Sequence, residues 1–350
     1  MKTQTLIAGL CCLLPMIACA QAQKTYRIYG KTMGNKYRVT WVSQPMQGEE
    51  VTELQSDINQ RLVDINNAMS TWQSDSEISQ FNQAKAHQSI EVSPAFGEVL
   101  KESLRLHQVT NGALDVTVGP LVKLWGFGPA NHLFQIPSRD EVEAIKAYTG
   151  VEHLSFNGIE LSKDHDQTEL DFSAIAKGFG VDQVAEVLQQ HGISRYLVDI
   201  GGEVVGKGSN PDGKPWQLQV EKPTIYIAGL SETIPVTDMA VATSGDYRNY
   251  FTKGGNRYSH VVNPISGQSV ETRIASATVI AERCATADGL ATAAMVMGIK
   301  PTLVLAEEQS LAVMLIENRF DRYVVHKSTA YDQLLKSHPA ETLKNTPKGE

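Results

Sequence analysis

Residues 171–182 read Asp-Phe-Ser-Ala-Ile-Ala-Lys-Gly-Phe-Gly-Val-Asp. An apolar, strand-like lead ends in an acid and a serine. A lysine–glycine pair then opens an amphipathic helix that runs to about Gln190 and stops at Gly192. Ser173 is placed to cap this helix, because its hydroxyl can accept from the orphan amides of the first turn. Those amides and the helix dipole favour anions. Lys177 adds a cation at the same end, and Gly178 lets another group approach closely. The combination suits a phosphate or pyrophosphate. An ordinary capped helix with a surface lysine is the competing reading, and this segment alone does not separate the two.

The chain opens with Lys2, an apolar run from Leu6 to Ala18, and Cys19. The run is too short to span a bilayer as a mature helix, which makes it a secretory leader. Met16-Ile17-Ala18-Cys19 looks like a bacterial lipobox with Met in place of the usual leucine. The expectation is a signal peptide over residues 1–18, lipidation at Cys19, a polar linker over 19–24 and a body over 25–335. The body is then a lipid-anchored domain facing the periplasm, with the inner membrane the expected side although Ala20 gives no retention signal. A plain cleaved signal is the alternative. Residues 336–350, rich in Lys, Pro and Glu, are expected to fray. Beyond the leader only Cys284 remains, so no internal disulfide is available and a small buried thiol is expected. The net charge of -8 and the lack of a basic stripe argue against a nucleic-acid partner.

Tyr26–Val42 alternates like strands around Met33-Gly34. Val51–Met69 has helical periodicity, with Leu54, Ile58, Leu62 and Ile65 on one face. Phe96–Thr110 is a second helix ended by Gly112. Leu197–Gly206 reads as strand, glycine turn and strand, with Gly201-Gly202 permitting close backbone approach. Trp216–Glu221 is a strand, and Val236–Ser244 continues the sheet. Thr286 caps a helix ending at Gly298, and strands follow at Leu311–Glu317 and Arg322–Lys327. Strands and helices mix without strict alternation, so the fold class is α+β, with mixed sheets and packed helices.

Asp288 and Thr292 lie four residues apart, on one face near a helix start, among small neighbours. A carboxylate with a hydroxyl suits Mg²⁺ better than Zn²⁺, and no pair of His or Cys residues has zinc-ligand spacing. An acid serving its own helix dipole is the plainer reading of Asp288. Met33 and Trp72 can pack on a flat ring, or simply in the core. His260 can take a hydroxyl proton, or be a structural histidine at a strand end. Thr243-Ser244-Gly245-Asp246 offers hydroxyls and amides to a phosphate, or is a turn.

Taken in order, several segments resemble the ApbE family over roughly Thr25 to Arg322. They are Met33-Gly34, Met69-Ser-Thr-Trp72, Gly112–Pro129, Asp171–Asp182, Ala240–Phe251, Tyr258–Gly267 and Ala287–Gly298. The resemblance implies a T-fold-like catalytic unit that takes FAD as substrate and Mg²⁺ as cofactor. It implies transfer of FMN to a Thr or Ser hydroxyl of a partner protein through a phosphodiester, with release of AMP. Such partners are membrane redox subunits carrying a Ser/Thr-Gly-Ala-Thr/Ser motif, which this chain lacks. By the same resemblance, FAD contacts fall on Met33, Trp72, Ala113, Leu114, Asp115, Asp171, Lys177 and His260. Mg²⁺ falls on the Ala174 carbonyl, Asp288 and Thr292, and His260 is implicated in transfer. Lys177 would meet the pyrophosphate or orient Asp171. Asn263 stands where many relatives have aspartate. An FAD-binding lipoprotein and a Mg²⁺-dependent FAD pyrophosphatase are the alternative activities.

Overall fold

The alternation around Met33-Gly34 resolves into a hairpin. Strand Lys24–Thr32 pairs antiparallel with Asn35–Ser43, with Thr32 opposite Asn35. Only Met33 and Gly34 remain in the loop, with φ of 49° and 70°. Two positive φ values in a two-residue loop suit the right-handed twist of the flanking strands. Glycine takes this conformation freely, whereas Met33 takes it at a cost. The Asn35 side-chain amide braces the turn by donating to the Met33 carbonyl at 2.9 Å.

The computed structural model describes residues 22–128, 134–221, 230–245, 250–254, 256–271, 273–319 and 322–337. The leader with Cys19, Pro129, Asp246 and most of the expected tail lie outside the described residues. Among the described residues, no helix is long and apolar enough to cross a membrane.

The hairpin forms one edge of an eight-stranded sheet. Tyr196–Ile200, Glu203–Lys207, Met239–Gly245, Ile274–Ala281, Ala312–Arg319 and Arg322–Lys327 follow it in chain order, each antiparallel to the last. Helices Gly48–Met69, Ala176–Gln190 and Cys284–Met297 pack on one face. A hairpin of Trp216–Glu221 and Leu230–Val236, with helix Thr329–Ser337, covers the other. Strand periodicity sorts the residues: Ala240 and Ala242 join the helical core, while Val241 joins the opposite one. The α+β class expected from the sequence is the one observed.

Three expectations fail locally. Val236–Ser244 is not one strand. Asp238 takes φ of 52°, the chain turns there, and Leu230–Val236 belongs to the covering hairpin while Met239–Gly245 enters the main sheet. Ser173 does not cap its helix, which begins at Ala176 with Ile175 before it and no side-chain cap. Thr286 is no cap either, since its helix begins at Cys284 and its hydroxyl donates to Glu102.

The missing caps come from across the interface between the two helices. Asp182, in the Ala176–Gln190 helix, accepts from the Cys284 amide at 2.8 Å and the Ala285 amide at 3.0 Å. Asp288, in the Cys284–Met297 helix, accepts from the Gly178 amide at 2.9 Å. Each helix thus satisfies first-turn donors of the other. The helices can approach this closely because residue 178 is glycine: a Cβ there would collide with the Cys284 carbonyl.

Candidate functional site

Two adjoining cavities open beside this helix pair. One, of about 550 Å³, is bordered by Met33, Trp72, Asp171 and Lys177. The other, of about 500 Å³, is bordered by Ala113, Leu114, Asp115, Ala174, His260, Asp288 and Thr292. Lys177, Asn35 and Ser173 border both. The flavin, metal and transfer candidates read from the sequence within the described residues therefore meet at two adjoining cavities, although they span Met33 to Thr292.

The indole of Trp72 is not core packing, since it is 67% exposed beside the first cavity. Met33 packs partly into the core, and Gly180 makes room for it: a Cβ there would lie 3.0 Å from the Met33 methyl. A thioether and an indole thus border one space that a flat ring could enter.

Asp171 is oriented locally. Its Oδ1 accepts from the Ser173 amide at 2.8 Å, and its own amide donates to the Val116 carbonyl at 2.7 Å. The expected alternative, orientation of Asp171 by Lys177, is not what the ion pairs show. Asp115 is buried, and its Oδ1 accepts from both the amide and the hydroxyl of Thr117, at 2.7 and 2.6 Å. His107 Nδ1 lies 3.5 Å from its other oxygen. Burial pushes the Asp115 carboxyl up, against the pull of these hydrogen bonds.

The Lys177 ammonium lies 2.6 Å from Glu203 Oε1 and 3.7 Å from Asp288 Oδ1. Burial opposes its charge, but Asp288 and Glu203 overcome that and hold its pKa above the ordinary lysine value. Burial pushes Asp288 up, and burial with the charge of Asp288 pushes Glu203 up to about 7. The Gly178 amide, a first-turn donor of its helix, is taken by Asp288. Asp288 itself is 2% exposed and serves the other helix, not its own dipole. Thr292 bonds across to the Ser244 hydroxyl at 3.1 Å.

These donors fit a hard divalent cation: a buried carboxylate, a hydroxyl, and the backbone at Ala174 border one cavity, all offering oxygen. One buried oxygen there, Glu203 Oε2, has no hydrogen-bond partner among the described residues. His260 borders the same cavity, its ring edge-on to Phe127 at 6.4 Å. Cys284 is the buried thiol expected, and burial pushes its pKa well up.

Glu203 is the site residue that sequence reading missed. It follows the Gly201-Gly202 turn directly, and a strand acid next to a glycine pair was the available signal. The fold also makes a cluster that sequence spacing does not record. His153, Asp164 and His165 bring their ligand atoms within 4.8 Å of one another, at the end of a strand pair and outside both cavities.

A sequence model of the ApbE family matches residues 33–315. The FAD:protein FMN transferase of Vibrio cholerae is 43% identical over 329 residues, covering 94% of this chain and 98% of that protein. The protein of the same name from Haemophilus influenzae is 41% identical, covering 92% and 94%. Among solved structures, the flavin transferase ApbE of Vibrio cholerae matches with a TM-score of 0.82 at 42% identity, covering 89% of this chain and 99% of that one. The apo flavinyl transferase ApbE of Pseudomonas stutzeri matches with a TM-score of 0.82 at 37% identity, covering 89% and 97%. With motifs, fold and cavity residues in agreement along nearly its whole length, the chain belongs to the ApbE family.

Proposed function

We infer that this protein is a Mg²⁺-dependent FAD:protein FMN transferase. The observation that carries the reading is the convergence of seven separated sequence segments on two joined cavities that share Lys177. The first cavity offers Met33 and Trp72 to the flavin ring. The second offers a cation and proton-transfer groups to the phosphates. Asp288, Thr292 and the Ala174 carbonyl would hold Mg²⁺, which supplies neutralisation of phosphate charge when bound.

The protein's own part is placement. Lys177 stands at the junction and meets the pyrophosphate. His260 takes the proton from an acceptor Thr or Ser hydroxyl as its oxygen bonds to the flavin-side phosphorus. The bond from that phosphorus to the bridging oxygen breaks, AMP leaves, and FMN stays on the acceptor as a phosphodiester. Most of the acceleration comes from alignment and charge stabilisation. The acceptors of this reading are membrane redox subunits with a Ser/Thr-Gly-Ala-Thr/Ser motif. Lipid at Cys19 would hold the enzyme beside them, facing the periplasm.

One incubation tests the reading. Purified protein, FAD, Mg²⁺ and a fragment bearing the acceptor motif are combined, then followed by in-gel flavin fluorescence and AMP release. Covalent fluorescence on the fragment is the expected result. AMP without covalent flavin would make the protein a pyrophosphatase, and neither product would make it a flavin binder. Asp288→Ala should abolish Mg²⁺-dependent turnover, and Thr292→Ala should weaken metal binding less.

A further inference from the structure

Lys177 divides its attention unequally between two buried acids. At 2.6 Å its contact with Glu203 is a charge-assisted hydrogen bond, whereas 3.7 Å to Asp288 is beyond hydrogen-bond reach. Both acids are almost sealed, Glu203 at 3% and Asp288 at 2% exposed. Asp288 Oδ2 is committed to the Gly178 amide, which leaves Oδ1 as the oxygen nearest Lys177. Glu203 is held in place by its strand, which pairs on both sides within the main sheet. A lysine side chain, by contrast, has four rotatable bonds and can follow its strongest partner.

We propose that Glu203 is a positioning residue that draws the Lys177 ammonium off Asp288 and so leaves Asp288 Oδ1 open to a divalent cation. The proposal rests on the reading of Asp288 as a metal ligand. Removing the charge of Glu203 leaves Lys177 beside a single close carboxylate. Buried charges do not stay unpaired when a partner is in reach, so the ammonium closes on Asp288. There it occupies the oxygen that the cation needs and cancels the charge that attracts it. Glu203 then controls cation binding without touching the cation. A direct contact through its unpartnered Oε2 is the rival account, and the two differ in what a second substitution does.

The test is Mn²⁺ binding to the full chain without FAD, measured by the free-ion electron paramagnetic resonance signal. Glu203→Gln should weaken binding by roughly tenfold or more, since the Lys177 ammonium then cancels the charge of the ligand carboxylate Asp288, and affinity at such sites follows net ligand charge. Adding Lys177→Met removes the competing ammonium, so the double variant should return to within about threefold of the wild type. A double variant as weak as Glu203→Gln would make Glu203 a ligand and overturn the proposal. Wild-type binding in Glu203→Gln would overturn it too. Should Glu203→Gln fail to fold, Glu203→Asp keeps the charge and should bind better than Glu203→Ala; equal loss in both would refute a role for that charge. Asp288→Ala separates the levels: unchanged Mn²⁺ binding there removes the metal-ligand reading itself, and the proposal falls with it.

Discussion

Asp182 and Asp288 cap each other's helices. The first accepts from the Cys284 and Ala285 amides and the second from the Gly178 amide, so the two helix starts are sewn together by exchanged acids. Asp288 borders the second cavity and Asp182 borders neither. The same arrangement therefore sets both the spacing of the helices and the position of the candidate metal ligand.

Gly178→Ala should break this arrangement. The new methyl meets the Cys284 carbonyl, a backbone atom that cannot rotate away. Overpacking of this kind costs about 1–3 kcal/mol. Thermal unfolding should shift down, and FAD affinity, read by flavin fluorescence quenching, should fall with it. A variant with wild-type values for both would show that the close approach is not needed.

Asp182 gives the fold a pH dependence with a defined sign. Burial raises its carboxyl from 3.8 to about 6, against the pull of the two amides and Arg283. A raised acid binds its proton more tightly in the folded state. Its contribution is therefore complete below 3.8 and drains away as pH rises through about 6. Asp182→Asn cannot titrate. The stability of the wild type relative to this variant should fall across that window and level off above it. Melting curves over a pH series check this; a constant difference would mean that Asp182 titrates normally.

His260→Ala should keep FAD binding and lose transfer by about 10²- to 10⁴-fold, the usual worth of general-base help. Flavin quenching measures the first and a labelled acceptor the second. If transfer survives, the histidine is structural and the hydroxyl needs no base from the protein.

Cys19→Ser should separate location from chemistry. The variant is expected in the soluble fraction or uncleaved, with normal transfer in vitro and slower flavinylation in cells, because anchoring raises the local concentration of enzyme near membrane acceptors. A Cys19→Ser protein processed normally and recovered with membranes would end the lipid-anchor reading and leave the transferase reading standing.

The parts legible in the sequence were those written in local periodicity. Leu54, Ile58, Leu62 and Ile65 mark their helix directly and are all buried. Met33-Gly34 marks its turn, and Asp288 with Thr292 marks one face of a helix. The parts that were not legible depend on partners remote in the chain. Ser173 and Thr286 satisfy every local rule for a cap, yet acids 110 and 102 residues away from the amides do that work. Glu203 looks like any strand acid until Lys177 is brought against it. His153 and His165 lack metal spacing in sequence because the hairpin register, not the interval, brings them together. Asp238 ends a strand through one left-handed residue that a hydrophobic pattern does not record.

The exchange of caps also determines what counts as a finished molecule. At 15 and 14 residues both helices are marginal on their own, so helical signal that returns before docking comes from frayed, partly formed segments. The candidate site would still not exist, because it is made by docking and not by coiling. Turnover is thus a stricter reporter of complete folding than helicity. Refolding followed by both signals should show helix returning first and chemistry last, with the lag timing the closure of a loop of about a hundred residues.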